Sequence, residues 1–303
     1  MHSEKKATLT GLCAIVLWST IVGLIREVSQ SFGAVGGAAL IYSIASIFLL
    51  LSVGWVSLKL FPKRYLILGG VLMVAYEVCL ALSIGYATDS RQAIEIGMVN
   101  YLWPSFTMVA TVVFHSKKAN WLIVPGIIIA MLGVGLVLGG AEGIDLPVMW
   151  QHIYTNPLSY ALAFLGACIW AAYCVVTIKM AKGVNGITLF FMIVAVVMWL
   201  QYFFGSEQMP MDIHFYSIAY LLLAACVMGF GYAAWNVGML RGNVTILTGA
   251  SYFIPVFSSA FSALLLSTSL EVSFWKGALL VCLGSVLCWL STRQVNRVSK
   301  PNV

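Results

Sequence analysis

Apolar residues run along this chain in stretches of about twenty, each closed by a short cluster of charged, glycine or asparagine positions. A helix needs roughly that length to cross the hydrocarbon core of a bilayer. The pattern predicts ten such helices, at about 7–26, 34–58, 65–86, 92–114, 120–140, 157–178, 185–205, 215–238, 244–268 and 273–292. Asn120, Pro157, Asn243 and Ser273 stand near proposed starts and Gly139-Gly140 near a stop, where helix punctuation belongs. The expected fold is an all-α polytopic membrane protein, a single transmembrane domain over 1–303.

The polar clusters between the stretches carry a second signal. With the N-terminus placed in the cytoplasm, Lys5, Lys6, Lys59, Lys63, Arg64, Lys117, Lys118, Lys179, Lys182, Arg241, Arg293, Arg297 and Lys300 fall on the cytoplasmic side. Only Arg26, Arg91 and Lys276 fall outside, so thirteen of the 16 basic residues sort to one face, as the positive-inside rule requires. The outer loops near 141–156 and 206–214 hold Glu142, Asp145, Glu207 and Asp212 and no lysine or arginine. Adding or removing one helix in the middle would scramble this order. Both termini are therefore expected in the cytoplasm.

The apolar pattern also repeats. Tyr101-Leu102-Trp103-Pro104-Ser105-Phe106 and Tyr252-Phe253-Ile254-Pro255-Val256-Phe257 lie 151 residues apart, and each places a proline inside a predicted span. Proline lacks the backbone N–H and clashes with the preceding turn, so each helix is expected to kink there, with Pro104 and Pro255 as hinges. Trp18 matches Trp170, Gly85 matches Gly238, and Leu132-Gly133 matches Leu283-Gly284 at offsets of 151 to 153. Two repeats follow, about 7–140 and 157–292. Each holds five spans, so the second enters the membrane in the opposite direction, the inverted duplication of many secondary transporters. Glycines at 33, 36, 37, 126, 133, 277 and 284 suit close helix approach.

Composition strengthens the membrane reading and removes others. At 61% hydrophobic and 9% charged residues the chain carries more apolar surface than a soluble core absorbs. In that setting a net charge of +6 does not indicate a nucleic-acid partner. Seven cysteines, an odd number, all lie in apolar spans and read as small buried residues. Lys5 and Lys6 before an apolar run imitate a signal peptide, but no small-x-small cleavage site follows, so a retained first helix is expected.

Polar and aromatic residues inside the spans are the candidate site. Glu77 stands mid-span beside Tyr76, where an acid costs about 2.5–3.5 kcal/mol on insertion scales. Either it meets a substrate amine or carries a proton, or it is a hydrogen-bonded acid that locks helices together. Glu95 follows Arg91 at i+4 near the start of the fourth span and suits a local surface ion pair. Trp55, Trp121, Trp150, Trp199, Trp275 and Trp289 lie near span ends and are expected as interface anchors. Trp18, Trp103 and Trp170 lie deeper, with Tyr76, Tyr101, Tyr173, Tyr232 and Tyr252, on spans one, three, four, six, eight and nine. Such rings can line a cavity and stack on an aromatic side chain or a cation. Asn100 and Asn236 can orient a zwitterion.

No basic residue lies mid-span to pair with a phosphate, no GxxxxGK[ST] loop hydrolyses ATP, and no HExxH occurs. His2, His115, His152 and His214 all lie near surfaces. The chain is not expected to be an enzyme, to hold a metal or to need a cofactor.

LTGLCAIVLWST (Leu9 to Thr20), GMVNYLWPS (Gly97 to Ser105), IWAAYC (Ile169 to Cys174), GYAAWNVGML (Gly231 to Leu240) and GNVTILTGASYFIPVFSSA (Gly242 to Ala260) closely resemble aromatic amino acid exporters of the EamA branch of the drug/metabolite transporter superfamily. The likeness runs from about residue 7 to 292. It implies a ten-helix, inverted-repeat exporter of the bacterial inner membrane, working by alternating access. Its substrates would be amino acids, among them phenylalanine, tyrosine and tryptophan, and in related members threonine and methionine. Other members handle organic cations such as methyl viologen, which makes a multidrug efflux carrier the alternative. By motif, Trp18, Tyr101, Trp103, Trp170, Trp235 and Tyr252 are implied as cavity positions. The partners expected are a small-molecule substrate and the lipid bilayer, with the chain acting as a monomer.

Overall fold

The computed structural model describes residues 2–115, 119–205 and 212–293, and among these every regular element is helical. Lys117, Lys118, Glu207, Arg297 and Lys300, used above for charge sorting, lie outside the described residues.

The first half comprises α1 (His2–Trp18), α2 (Ile21–Phe32), α3 (Ala34–Ser52), α4 (Lys63–Gly85), α5 (Ser90–Asn100), α6 (Trp103–His115) and α7 (Ile123–Leu138). After α8 (Leu146–Thr155), the second half comprises α9 (Pro157–Met180), α10 (Ile187–Phe204), α11 (Phe215–Arg241), α12 (Val244–Ser251), α13 (Ile254–Leu265) and α14 (Val272–Arg293). Among the described residues, seven helices are long and apolar enough to cross a membrane, counting Ser90–Phe114 as one. Glu4–Trp18 and Ile21–Phe32 form a further pair bent by 43°, and Ile123–Leu138 and Ile254–Leu265 are shorter apolar helices. At 1.5 Å per residue, α7 is only about 24 Å long, short of the roughly 30 Å hydrocarbon thickness.

Local chemistry sets the boundaries. Asp89, Asp145, Asn156 and Asn243 cap α5, α8, α9 and α12, each side chain accepting an N–H two or three residues into the helix. Gly33 joins α2 to α3 with no intervening loop at φ 73°, a backbone region that favours glycine. The 141–156 segment, read above as a loop, instead folds its second half into α8. Asp145 caps it and Pro147 sits in its first turn, so a short helix forms where charge alone suggested open chain.

The bundle is built on four close pairs: α7 with α14, α4 with α9, α1 with α11, and α3 with α10. In the first pair glycines replace side chains at the crossing. A Cβ on Gly126 would meet the Gly284 carbonyl oxygen at 2.9 Å, and one on Gly133 would meet the Gly277 carbonyl oxygen at 2.7 Å. The lower-numbered glycine of one helix faces the higher-numbered glycine of the other, so α7 and α14 run antiparallel. The start of α1 and the end of α14 lie at the end of the bundle opposite Arg91. The Asn243 N–H bonds Thr8 Oγ1 there, and the Asn120 N–H bonds the Ser291 carbonyl.

Candidate functional site

Among the described residues, three breaks between consecutive helices border one cavity. The α5–α6 break falls at Tyr101-Leu102 and the α12–α13 break at Tyr252-Phe253, placing Pro104 and Pro255 second in the helices that follow. Neither proline has an N–H to give to the carbonyl four residues back, that of Asn100 or Ser251. The third break, at Ser19-Thr20, has no proline and was not expected. Here the hydroxyls of Ser19 and Thr20 bond back to the carbonyls of Ile15 and Leu17, both at 2.8 Å, which competes with the helical ladder.

Around these breaks lies a narrow cavity with about 50 Å³ open to a water-sized sphere. Seven of the residues singled out above border it: Trp18, Tyr76, Asn100, Tyr101, Trp103, Trp170 and Tyr232. The rings form a connected wall. Trp170 lies 4.5 Å from Tyr76, 6.1 Å from Trp103 and 6.2 Å from Tyr232 between ring centroids, and Tyr232 lies 5.0 Å from Trp18. Three of these four contacts are edge-to-face and that of Tyr76 with Trp170 is tilted, arrangements that aromatic pairs favour over a face-to-face sandwich. Asn100 Nδ2 donates to the Ala163 carbonyl at 3.2 Å, tying the first broken span to α9.

The apolar wall has no signature in the sequence. Ile21, Leu80, Met228 and Ile254 also border the cavity and give it an aliphatic side. Nothing distinguishes such residues from the lipid-facing majority until the helices are placed.

The other five candidates stand back from the cavity. Tyr173 and Trp235 pack behind it, 5.3 Å from Trp170 and from Trp18 respectively. Tyr252 is buried 6.1 Å from Trp289, and Asn236 is half-buried on α11. Glu77 is fully buried, with both oxygens occupied: Tyr42 donates to Oε2 at 2.7 Å and Tyr232 to Oε1 at 2.6 Å. An acid at this depth needs donors, and two tyrosines supply them from α3 and α11. The cavity and Glu77 thus share Tyr232, whose ring faces one and whose hydroxyl binds the other. Tyr42 has no sequence signal of its own beyond lying in a span at matching depth.

A second cluster occupies one end of the bundle, beside a pocket of about 620 Å³. Glu95 is 2% exposed, so the expected surface ion pair is instead a buried hub. It accepts from Arg91 at 3.2 Å, as the i+4 spacing predicted, and also from Tyr160 at 3.0 Å, while His152 Nδ1 lies 3.2 Å away. Arg91 reaches across to Glu271, at the start of α14, at 3.0 Å. Of the six tryptophans expected as anchors, Trp55, Trp121 and Trp150 are exposed, whereas Trp199 donates to Ser43 Oγ at 2.9 Å between α10 and α3.

The hydrogen bond from Arg91 holds the Glu271 carboxyl below its usual value. A depressed acid adds stability that is complete above its unfolded value of about 4.3 and is lost as pH falls through the lowered folded value. The melting-temperature difference between the wild type and Glu271→Gln is therefore expected to be small and flat from pH 6 to 8. It should fade below about pH 4. A difference undiminished at pH 3 would contradict the pairing.

Apolar helices crossing a membrane several times around an internal aromatic cavity define a multi-pass membrane protein of the transporter class. Comparison with known proteins gives the family. The chain is 57% identical over 292 residues to the aromatic amino acid exporter YddG of Salmonella typhimurium (strain 14028s / SGSC 2262), covering 96% of this chain and 99% of that protein. It is 54% identical over 292 residues to the aromatic amino acid exporter YddG of Escherichia coli (strain K12), with the same coverage. The model of the EamA-like transporter family matches residues 157–290. A solved crystal structure, 20% identical, aligns with 98% of this chain and 100% of its own at a TM-score of 0.68, a likeness of fold alone. The chain belongs to the EamA-like transporter family.

Proposed function

We propose that this protein exports amino acids, aromatic ones among them, across the bacterial inner membrane by alternating access through the central cavity. The observation that carries the reading is the near full-length identity to two proteins named as aromatic amino acid exporters. The cavity agrees with it. Trp18, Tyr76, Trp103, Trp170 and Tyr232 offer ring faces and edges to an aromatic side chain, and Ile21, Leu80, Met228 and Ile254 offer aliphatic contact. The Asn100 carbonyl, which Pro104 cannot serve, is an acceptor for the substrate ammonium. Glu77 would act one step behind, by fixing Tyr232. A cavity of about 50 Å³ is far smaller than the roughly 300 Å³ or more of an ordinary ligand site, so the rings must part to admit substrate. The breaks at Ser19-Thr20, Tyr101-Leu102 and Tyr252-Phe253 are where the helices would bend, with Pro104 and Pro255 as hinges.

The same proposal takes ten spans with both termini cytoplasmic, in two inverted repeats at about 7–140 and 157–292. Seven long helices, the bent pair and the two shorter apolar helices support that count. The packing supports the duplication: exchanging the halves maps the α7–α14 and α3–α10 pairs onto themselves and swaps α4–α9 with α1–α11. An exporter of this build acts as a carrier rather than an enzyme, works as a monomer, and takes the bilayer as its only other partner.

Release of labelled phenylalanine from loaded proteoliposomes, with and without the protein, tests the reading. A faster release is expected. No difference for phenylalanine, tyrosine, tryptophan, threonine or methionine would sink it. The efflux carrier for aromatic cations is the weaker alternative, because both oxygens of Glu77 already accept tyrosine hydroxyls. Methyl viologen is expected to compete poorly with phenylalanine.

A further inference from the structure

The polar atoms around the cavity are unequally satisfied. Asn100 Nδ2 donates to the Ala163 carbonyl, and the Tyr232 hydroxyl donates to Glu77. The phenols of Tyr76 and Tyr101 can accept as well as donate. An indole nitrogen can only donate. The indole N–H groups of Trp18 and Trp170 are both buried, and neither has an acceptor. Both residues border the cavity, and both flank the ring of Tyr232, at 5.0 and 6.2 Å between centroids. They occupy matching places in the two halves, 152 residues apart. A Cβ at position 231 would lie 2.7 Å from Trp18 Nε1, so only glycine lets α11 pack this closely against that indole.

Buried donors without acceptors are rare and costly, and a pair at a ligand cavity asks for a ligand acceptor. The field around them has a definite sign. The first turns of three half-helices, α2 at Ile21, α6 at Trp103 and α13 at Ile254, border the same space, and helix N-termini favour negative charge. Among the described residues that border the cavity there is no lysine, arginine or histidine, so a negative group would have to be received by neutral donors.

We infer that the indole N–H groups of Trp18 and Trp170 receive the α-carboxylate of the transported amino acid. The inference rests on the exporter reading and assigns its carboxylate subsite. Two neutral N–H donors bind a carboxylate by charge-assisted hydrogen bonds without a fixed cation in the membrane interior, where one is expensive. They also hold it more loosely than a bidentate arginine would, which suits a group that must leave again on the far side.

Competition against labelled phenylalanine in proteoliposomes tests this, using phenylalanine and phenylalaninol as competitors. The two share ring and amine and differ in the carboxylate, so changes in ring stacking cancel in their ratio. The wild type is expected to prefer phenylalanine by about tenfold or more. Trp18→Phe and Trp170→Phe should each shrink that preference several-fold, and the double variant should bring it near one, through weaker phenylalanine competition with phenylalaninol little changed. Placing 3-(3-benzothienyl)alanine at position 18 or 170 exchanges N–H for sulfur in an otherwise matching ring. It should reproduce the effect if a phenylalanine variant does not fold. An unchanged ratio in variants that still carry phenylalanine overturns the subsite and leaves the exporter reading standing. A wild type that carries no amino acid overturns both.

Discussion

Glu77→Leu is expected to destabilise the protein by about 2–6 kcal/mol and to abolish transport. The carboxylate is fully buried and is the shared acceptor of Tyr42 on α3 and Tyr232 on α11. Leucine fills the space but takes the carboxylate from both phenols, leaving Tyr232 unpartnered and Tyr42 with only the main-chain carbonyl of residue 77 at 3.3 Å, at about 1–3 kcal/mol for each bond lost. Tyr42→Phe removes one donor and leaves the acid with the other, so its cost should be about 1–2 kcal/mol. The decisive comparison is the triple variant Tyr42→Phe, Glu77→Leu, Tyr232→Phe. It removes donors and acceptor together, and a buried polar network replaced wholesale by apolar groups is often near neutral. Thermal unfolding of the purified proteins in one detergent would measure all three. If Glu77→Leu melted within a degree or two of the wild type, the clamp would not hold these helices together. Transport should separate from stability in Tyr232→Phe, since losing the hydroxyl frees a cavity-wall ring from its anchor on Glu77: its fold survives better than its activity.

The clamp also shows where sequence reading runs out. An acid in mid-membrane is visible at once, because hydropathy makes any charge conspicuous, and Glu77 was identified on that ground. What it faces is a matter of which helices pack, and Tyr42 looked like any other membrane tyrosine. The hydrogen bonds supply what the sequence leaves open about the surroundings of Glu77: one phenol from α3 and one from α11. Glu95 failed in the same direction. Its i+4 partner Arg91 was legible from spacing, but His152 and Tyr160 are 57 and 65 residues away and no local pattern ties them to it.

Broken helices divide along the same line. Pro104 and Pro255 mark two of the three breaks through covalent chemistry that sequence states outright. The break at Ser19-Thr20 relies on hydroxyls turning back to the helix, a weaker signal that serines and threonines in unbroken membrane helices also give; Ser43, Ser46 and Ser52 make the same bond within α3. The deep aromatics were legible as a set because large rings cluster in spans that turn out to surround one space. Their aliphatic neighbours were not, since Leu80 or Met228 is chemically identical to a lipid-facing residue.

Gly284→Val should be severely damaging, because the atoms in its way belong to backbone. A Cβ at position 284 would lie 2.5 Å from both the Ala130 nitrogen and the Gly126 carbonyl oxygen, and 2.8 Å from the Ala130 Cβ. No rotamer change relieves a clash with main chain, so α7 and α14 must separate. Overpacking a well-packed contact costs about 1–3 kcal/mol and more when backbone is displaced. This contact is repeated at Gly126, Gly133 and Gly277 along the same crossing, so a displacement at one glycine opens the other three. A loss of about 3 kcal/mol or more is expected, and a poor yield of folded protein by size-exclusion chromatography. Gly284→Ala should show the same effect in smaller measure. Gly249→Ala is the control: it lies in α12 with nothing within 4 Å of the new methyl group. Relieving a helical glycine of its backbone freedom should there raise stability by about 0.5–1 kcal/mol. If alanine at 284 were tolerated as well as alanine at 249, the glycine crossing of α7 and α14 would not be the close contact that joins the two halves.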